Sequence, residues 1–310
     1  MKEPNPILVF DRALLRQRRN RAAPHFSNHS VLSDETAVQL IDRLGDIKRD
    51  FKSVLWMGSK NEDAEAYLQK RGCEFLALSD ISENMLRHEH WCSPPLARGV
   101  RGGVGGSHKE NPSPTRTKLA ALVKSSYPLP QGERNDVVLD EEFLPFAPSS
   151  FDLVIGNFNL HLVNDLPGTL SQIRNILRPD GLFLAAFPGG KTLQELRTCL
   201  MEAELAVTGG VSPRLFPTIE LQTASGLLQR AGFSLPVVDS EILTLTYDGI
   251  FALMDDLSGM GETNIQMQRL RHPTRRSVFL EASRLYEQRF EEGAGRISAT
   301  FEILFLHGWK

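Results

Sequence analysis

Short apolar runs that alternate with amphipathic segments of helical period constrain this chain more than any other feature. Ser53 to Met57 and Phe75 to Leu78 read as buried strands, the second ending at Ser79-Asp80. Val137 to Leu139, Phe151 to Gly156 and Leu182 to Phe187 continue the series. Helical patterns lie between them, at Ala64 to Gln69, Ser82 to Leu86 and Leu166 to Leu177. The last of these stops at Arg178-Pro179-Asp180-Gly181, which has the residues of a turn. Continuous apolar strands separated by helices predict a mainly parallel sheet covered on both faces.

The flanks extend the pattern. Phe10 to Ala22 reads as an amphipathic helix with Leu14 and Leu15 facing the body, and Ser33 and Asp34 as caps of a helix ending near Leu44. After Gly189-Gly190, helices are expected at Thr192 to Val207, Leu221 to Ala231, Gly249 to Leu257 and Val278 to Phe290. Val237 to Tyr247 alternates like an edge strand, and with Ser298 to Trp309 it is expected to form an antiparallel edge. Residues 1-50 are expected to form an N-terminal helical segment, and 51-310 one α/β domain interrupted at 92-134. From Cys92 to Arg134 the chain is rich in Pro, Gly, Ser and basic residues, a composition that cannot bury enough apolar surface to order itself. Lys118 to Lys124 is expected to form at most a helical turn or two there. The run Arg101 to Gly106 lacks the GK[ST] ending of a phosphate loop.

A formal net charge of -3 provides no field that would draw the chain to nucleic acid or to an anionic membrane. No apolar run spans a bilayer. Cys73, Cys92 and Cys199 form no CxxC pair, which points to a reducing compartment. The cluster Arg12, Arg16, Arg18, Arg19 and Arg21 admits two readings, an organelle transit peptide or one face of the first helix. Asp11 and the upstream prolines favour the helix.

The most specific segment is Asp140 to Pro167, DEEFLPFAPSSFDLVIGNFNLHLVNDLP. With the RPDG turn, it resembles the third to fifth strand ends of class-I, Rossmann-like methyltransferases that use S-adenosylmethionine (SAM). FDRALLRQRRNRAA, SDISENML, GGKTLQELR, LMDDLSGMGETN and ATFEILFLHGWK extend the likeness over nearly the whole chain outside 92-134. Together they resemble the family of the mitochondrial complex I assembly factor described as an arginine hydroxylase, with its bacterial relatives. These in turn are similar to the malonyl-carrier-protein O-methyltransferase of biotin synthesis.

The resemblance implies a doubly wound sheet with SAM across the carboxyl ends of the first strands. It places Asp80, followed by Ile81, at the ribose, Asp140 and Glu141 at the adenine, and Gly58 and Asn157 along the cofactor. The glycine loop departs from the family pattern. Trp56 stands where an acidic residue belongs, Lys60 and Glu62 replace two glycines, and only Gly58 remains. Side chains there obstruct the backbone approach that glycine permits, so SAM binding is expected to be weakened or lost. Glu62, Asp63 and Glu65 place negative charge in the first turn of the next helix.

His161, beside Asn157 and Asn159, is the candidate general base; its alternative role is packing or capping. No 2-His-1-carboxylate cluster and no GxSxG elbow is present, so no metal ligand and no hydrolase triad is assigned. The resemblance implies a SAM-dependent methyltransferase-family protein. It would modify a protein, such as an arginine of a respiratory complex I subunit, or a carrier-protein thioester. The alternative is an inactive assembly or binding factor. The expected partner is a protein substrate or respiratory-complex subunit, not nucleic acid. The expected location is the cytoplasm in a bacterium, or the matrix side in a mitochondrion.

Overall fold

The computed structural model describes residues 8–58, 61–87, 134–293 and 295–310. Lys60 and residues 92–133 of the expected insertion lie outside the described residues. Arg134, assigned from sequence to the insertion, instead opens a strand.

The strands are β1 (Ser53–Gly58), β2 (Phe75–Asp80), β3 (Arg134–Val138), β4 (Phe151–Asn157), β5 (Leu177–Pro188), β6 (Ser234–Tyr247) and β7 (Ile297–Trp309). They form one sheet in the order β3-β2-β1-β4-β5-β7-β6. β1 pairs in parallel with β2 and β4, β2 with β3, and β4 with β5. β7 runs antiparallel to both β5 and β6, which confirms the antiparallel C-terminal edge. This is the doubly wound, mainly parallel sheet that the alternation predicts, in the class-I methyltransferase arrangement that the resemblance implies.

Burial follows the period of two that a strand imposes. Val54, Trp56, Leu153, Ile155, Leu182 and Leu184 enter one core layer, while Leu55, Met57, Val154, Phe183 and Ala185 enter the other. Both faces are therefore covered, which explains why these strands read as unbroken apolar runs. The helices are α1 (Arg12–Ala22), α2 (Val31–Gly45), α3 (Glu62–Lys70), α4 (Glu83–Arg87), α5 (Leu166–Ile176), α6 (Gln194–Thr208), α7 (Leu221–Arg230), α8 (Ile250–Gly259) and α9 (Arg276–Phe290). Among the described residues no helix is long and apolar enough to cross a membrane.

Local chemistry moves several boundaries. Asp11 caps α1 by accepting the Leu14 amide at 3.0 Å. α2 starts ahead of the expected Ser33-Asp34 caps. Ser33 turns inward and donates its hydroxyl to Ser30 O at 2.9 Å, while Asp34 accepts from Asn61 Nδ2 at 2.9 Å. Asn61 in turn caps α3 through the Ala64 amide. β5 begins at Leu177 because that residue pairs with Phe151 across a register shift before the main ladder resumes at Leu182.

Candidate functional site

Asp80 ends β2 as a buried residue (2 % exposed), and both carboxylate oxygens are engaged. Arg19 of α1 donates from Nε to Oδ1 at 3.2 Å and from Nη2 to Oδ2 at 2.6 Å, and the Ser82 amide donates to Oδ1 at 2.7 Å. Burial works against the charge of Arg19. The nearby carboxylates of Asp80, Glu262 and Glu141 outweigh it and hold the guanidinium above its ordinary pKa. Ile81, next along, is buried with Phe10, Leu15 and Leu162, and its carbonyl accepts from Arg16 Nε at 3.1 Å.

Asp140 and Glu141 follow β3, and α1 reaches them too. Arg12 donates to Asp140 Oδ1 from Nη2 at 2.7 Å and also bonds Glu141. Burial raises the Glu141 carboxyl above its ordinary pKa; Arg12 opposes the shift and Asp80 adds to it. Two arginines of one helix thus contact all three carboxylates that the resemblance assigned to the nucleoside of a cofactor. The arginine cluster was legible as a helix face. What it faced was not, because Arg12 and Arg19 meet residues more than sixty positions away.

The end of β1 shows why the first glycine-loop position carries no acid. Trp56 is 1 % exposed and lies in a core layer with Ala64, Leu68 and Leu78. Gly58 has φ +88, and a Cβ there would run into Asn157 O and Asn159 Cβ. Asn157 itself turns to α2, accepting from Thr36 Oγ1 at 2.8 Å and donating to Ser33 O at 3.0 Å. Glu62 and Asp63 are exposed in the first turn of α3 and Glu65 is buried there.

His161 sits after β4 with its side chain 2 % exposed, and its Nε2 lies 2.9 Å from Glu262 Oε2, itself buried. The rings of Phe158 and Phe216 flank the imidazole, with centroids at 6.0 and 5.2 Å. Glu262 comes from the LMDDLSGMGETN block, which no sequence argument had linked to a site. Its Oε1 lies 3.8 Å from Arg19 Nη1, so it joins the histidine to the Arg19–Asp80 pair. Among the described residues, three buried polar atoms of this segment have no hydrogen-bond partner: Asn159 Oδ1, Asn159 Nδ2 and His161 Nδ1. A native chain leaves few such atoms unpaired, because each costs about 1–3 kcal/mol.

These features test whether the residues suit SAM. The unpaired atoms and the flush backbone at Gly58 fit a ligand at the carboxyl ends of β1 and β4. The carboxylates at the ends of β2 and β3 are those that the resemblance places at the nucleoside, and here Arg12 and Arg19 hold them. The group therefore fits, in exchange against α1.

The sequence matches the model of a methyltransferase domain over residues 16–236. The human protein named arginine-hydroxylase NDUFAF5, mitochondrial, is 35% identical over 99% of this chain and 78% of its own length. The malonyl-[acyl-carrier protein] O-methyltransferase of Methylovorus sp. is 28% identical over 97% of this chain and 90% of its own length. A crystal structure of a putative methyltransferase from Bacillus halodurans superposes with a TM-score of 0.53 at 13% identity, covering 89% of this chain and 99% of that one, and shows the shared fold. The chain belongs to the methyltransferase-domain family, close to the NDUFAF5 arginine hydroxylases and related to the malonyl-carrier-protein O-methyltransferases.

Proposed function

We propose that the chain is a SAM-dependent transferase of this superfamily whose acceptor meets His161 at the carboxyl end of β4. The three unpaired buried atoms of Asn159 and His161 carry this reading, since a chain kept only as a scaffold gains nothing from them. When bound, SAM supplies a methyl group activated on a sulfonium. Asp80 would hold the ribose hydroxyls in place of Arg19, and Asp140 and Glu141 would face the adenine edge in place of Arg12. Gly58 lets the backbone come close. A carboxylate at Glu262 only accepts, so its bond places the proton on His161 Nε2 and leaves Nδ1 as the acceptor. His161 then takes a proton at Nδ1 from the attacking group, with Glu262 orienting the ring. Kinship with NDUFAF5 makes a protein side chain of a respiratory complex one acceptor class. A carrier-held acyl group is the other.

A second reading has its own support: a binding or assembly factor with a permanently closed cleft. Both Asp80 oxygens are taken by Arg19, and Trp56 replaces the acidic residue of the first loop. Calorimetric titration with SAM and S-adenosylhomocysteine separates the two. Saturable binding by the unaltered chain, lost in Asp80→Asn, is expected of the transferase. Silence in the unaltered chain overturns that reading. Binding recovered in Arg19→Met would then locate the closure in α1.

A further inference from the structure

Beside the junction at Glu262 lies a cavity of about 260 Å3. Its body is apolar, formed by Leu196 and Leu200 of α6, Met254 and Leu257 of α8, and Phe279 of α9. Arg18, Arg214 and Arg269 also line it, as does Glu262, whose carboxylate is engaged by His161 and Arg19. Arg214 is neutralised by Glu204, to which it donates from both Nε and Nη2. Arg269 is shared with Asp11, at 3.3 Å. Among the described residues Arg18 has no carboxylate within ion-pair distance. Its Nη1 donates to Thr263 Oγ1 and Asn264 O, both at 2.6 Å, which fixes the guanidinium at the cavity wall. Burial depresses its pKa, and the like charges of Arg269 and Arg21 depress it further, with Asp11 opposing the shift without reversing it.

A positioned guanidinium next to a second one, opening onto an apolar chamber, is complementary to one kind of ligand. We propose that this cavity binds an amphipathic carboxylate, with the acid on Arg18 and Arg269 and an alkyl tail against Leu196, Leu200, Met254 and Phe279. The carboxylate takes the Nε and Nη2 donors of Arg18, which have no acceptor among the described residues, and relieves the repulsion between the arginines. The tail displaces water from apolar walls. The same charges disfavour entry of an arginine side chain by this route. The site stands on its own residues and does not depend on SAM binding in the neighbouring cleft.

The test is calorimetric titration of the full chain with octanoate, 1-octanol and octylammonium, which share a tail and differ in the head. Octanoate is expected to bind at least about tenfold more tightly than octanol, the scale of one charge-assisted hydrogen bond. Octylammonium is expected to bind more weakly than octanol. Arg18→Gln and, separately, Arg269→Gln should each remove about tenfold of the octanoate affinity and leave octanol unchanged, while Arg18→Lys should recover part of it. Melting curves establish that each variant is folded, and two arginines on different segments keep the test open if one is not. Equal binding of octanoate and octanol overturns the proposal, as does octanoate binding indifferent to both arginines, or no binding of any probe. SAM titration of the same sample gives a separate answer. Octanoate binding without SAM binding removes the transferase reading alone, and the converse removes the carboxylate site alone.

Discussion

Arg19 and Asp80 form a bidentate ion pair sealed from solvent, with side chains 4% and 3% exposed and the shorter contact at 2.6 Å. One partner is on the first helix, the other at the tip of the second strand. Removing either leaves a buried charge unpaired, which costs about 3–5 kcal/mol. Arg19→Met is therefore expected to lower the free energy of urea unfolding by that amount, and Arg19→Met with Asp80→Leu to restore much of it. Additive losses in the double-mutant cycle would show that the two side chains do not act as a pair.

Gly58 and Gly72 both have positive φ, +88 and +81, in different surroundings. An added Cβ at Gly58 meets Asn157 O, whereas at Gly72 nothing lies within 4 Å. Gly72→Ala should cost about 1 kcal/mol from backbone conformation alone. Gly58→Ala adds a steric clash and should cost about 3 kcal/mol or more. Equal losses in denaturant unfolding would mean that the contact with Asn157 is not a constraint.

Trp56→Asp would restore the family's acidic residue, yet the structure predicts that it unfolds the chain. Trp56 is 1 % exposed, and truncating such a side chain costs about 3–5 kcal/mol before any charge is buried. Trp56→Phe should fold with a loss of roughly 2 kcal/mol. A cooperative melt for Trp56→Asp near that of the parent chain would refute this placement.

Asn159→Leu should raise stability by about 1–2 kcal/mol, because it replaces a buried amide whose Oδ1 and Nδ2 have no partner among the described residues. The same change should weaken SAM binding. A destabilised Asn159→Leu, or one that binds SAM unchanged, would show that the amide is not waiting for a ligand.

Burial lowers the pKa of His307 on β7, and Asp239 opposes the shift without reversing it. The unfolded chain therefore takes up a proton at a higher pH than the folded one. Above the ordinary histidine value of 6.5 the group has no effect on stability, and as pH falls below it the folded state loses ground. His307→Gln should flatten the stability profile on the acid side of 6.5. An unchanged slope between parent and variant would rule this residue out.

The sheet was legible because each strand states its own environment. A run such as Leu153 to Ile155 is apolar at every position only if both faces are covered, and helices of period 3.6 between such runs supply the cover. The resemblance carried by the SDISENML and DEEFLPF segments placed Asp80, Asp140 and Glu141 at strand ends for the same reason. A strand followed by a turn is a local pattern, and its tip is where a parallel sheet presents side chains.

The sequence by itself determined the order of elements, the parallel core, the antiparallel edge and the positions of three carboxylates after the second and third strands. Tertiary structure alone decided what those carboxylates touch. Arg12 reaches Asp140 across 128 positions, Arg19 reaches Asp80 across 61, and His161 reaches Glu262 across 101. Periodicity reports which face of an element is buried, a property of neighbours three or four positions away. Pairing of buried charges depends on where distant elements meet. That is fixed only when the whole core is packed, because a guanidinium leaves water at low cost only with a carboxylate already in place.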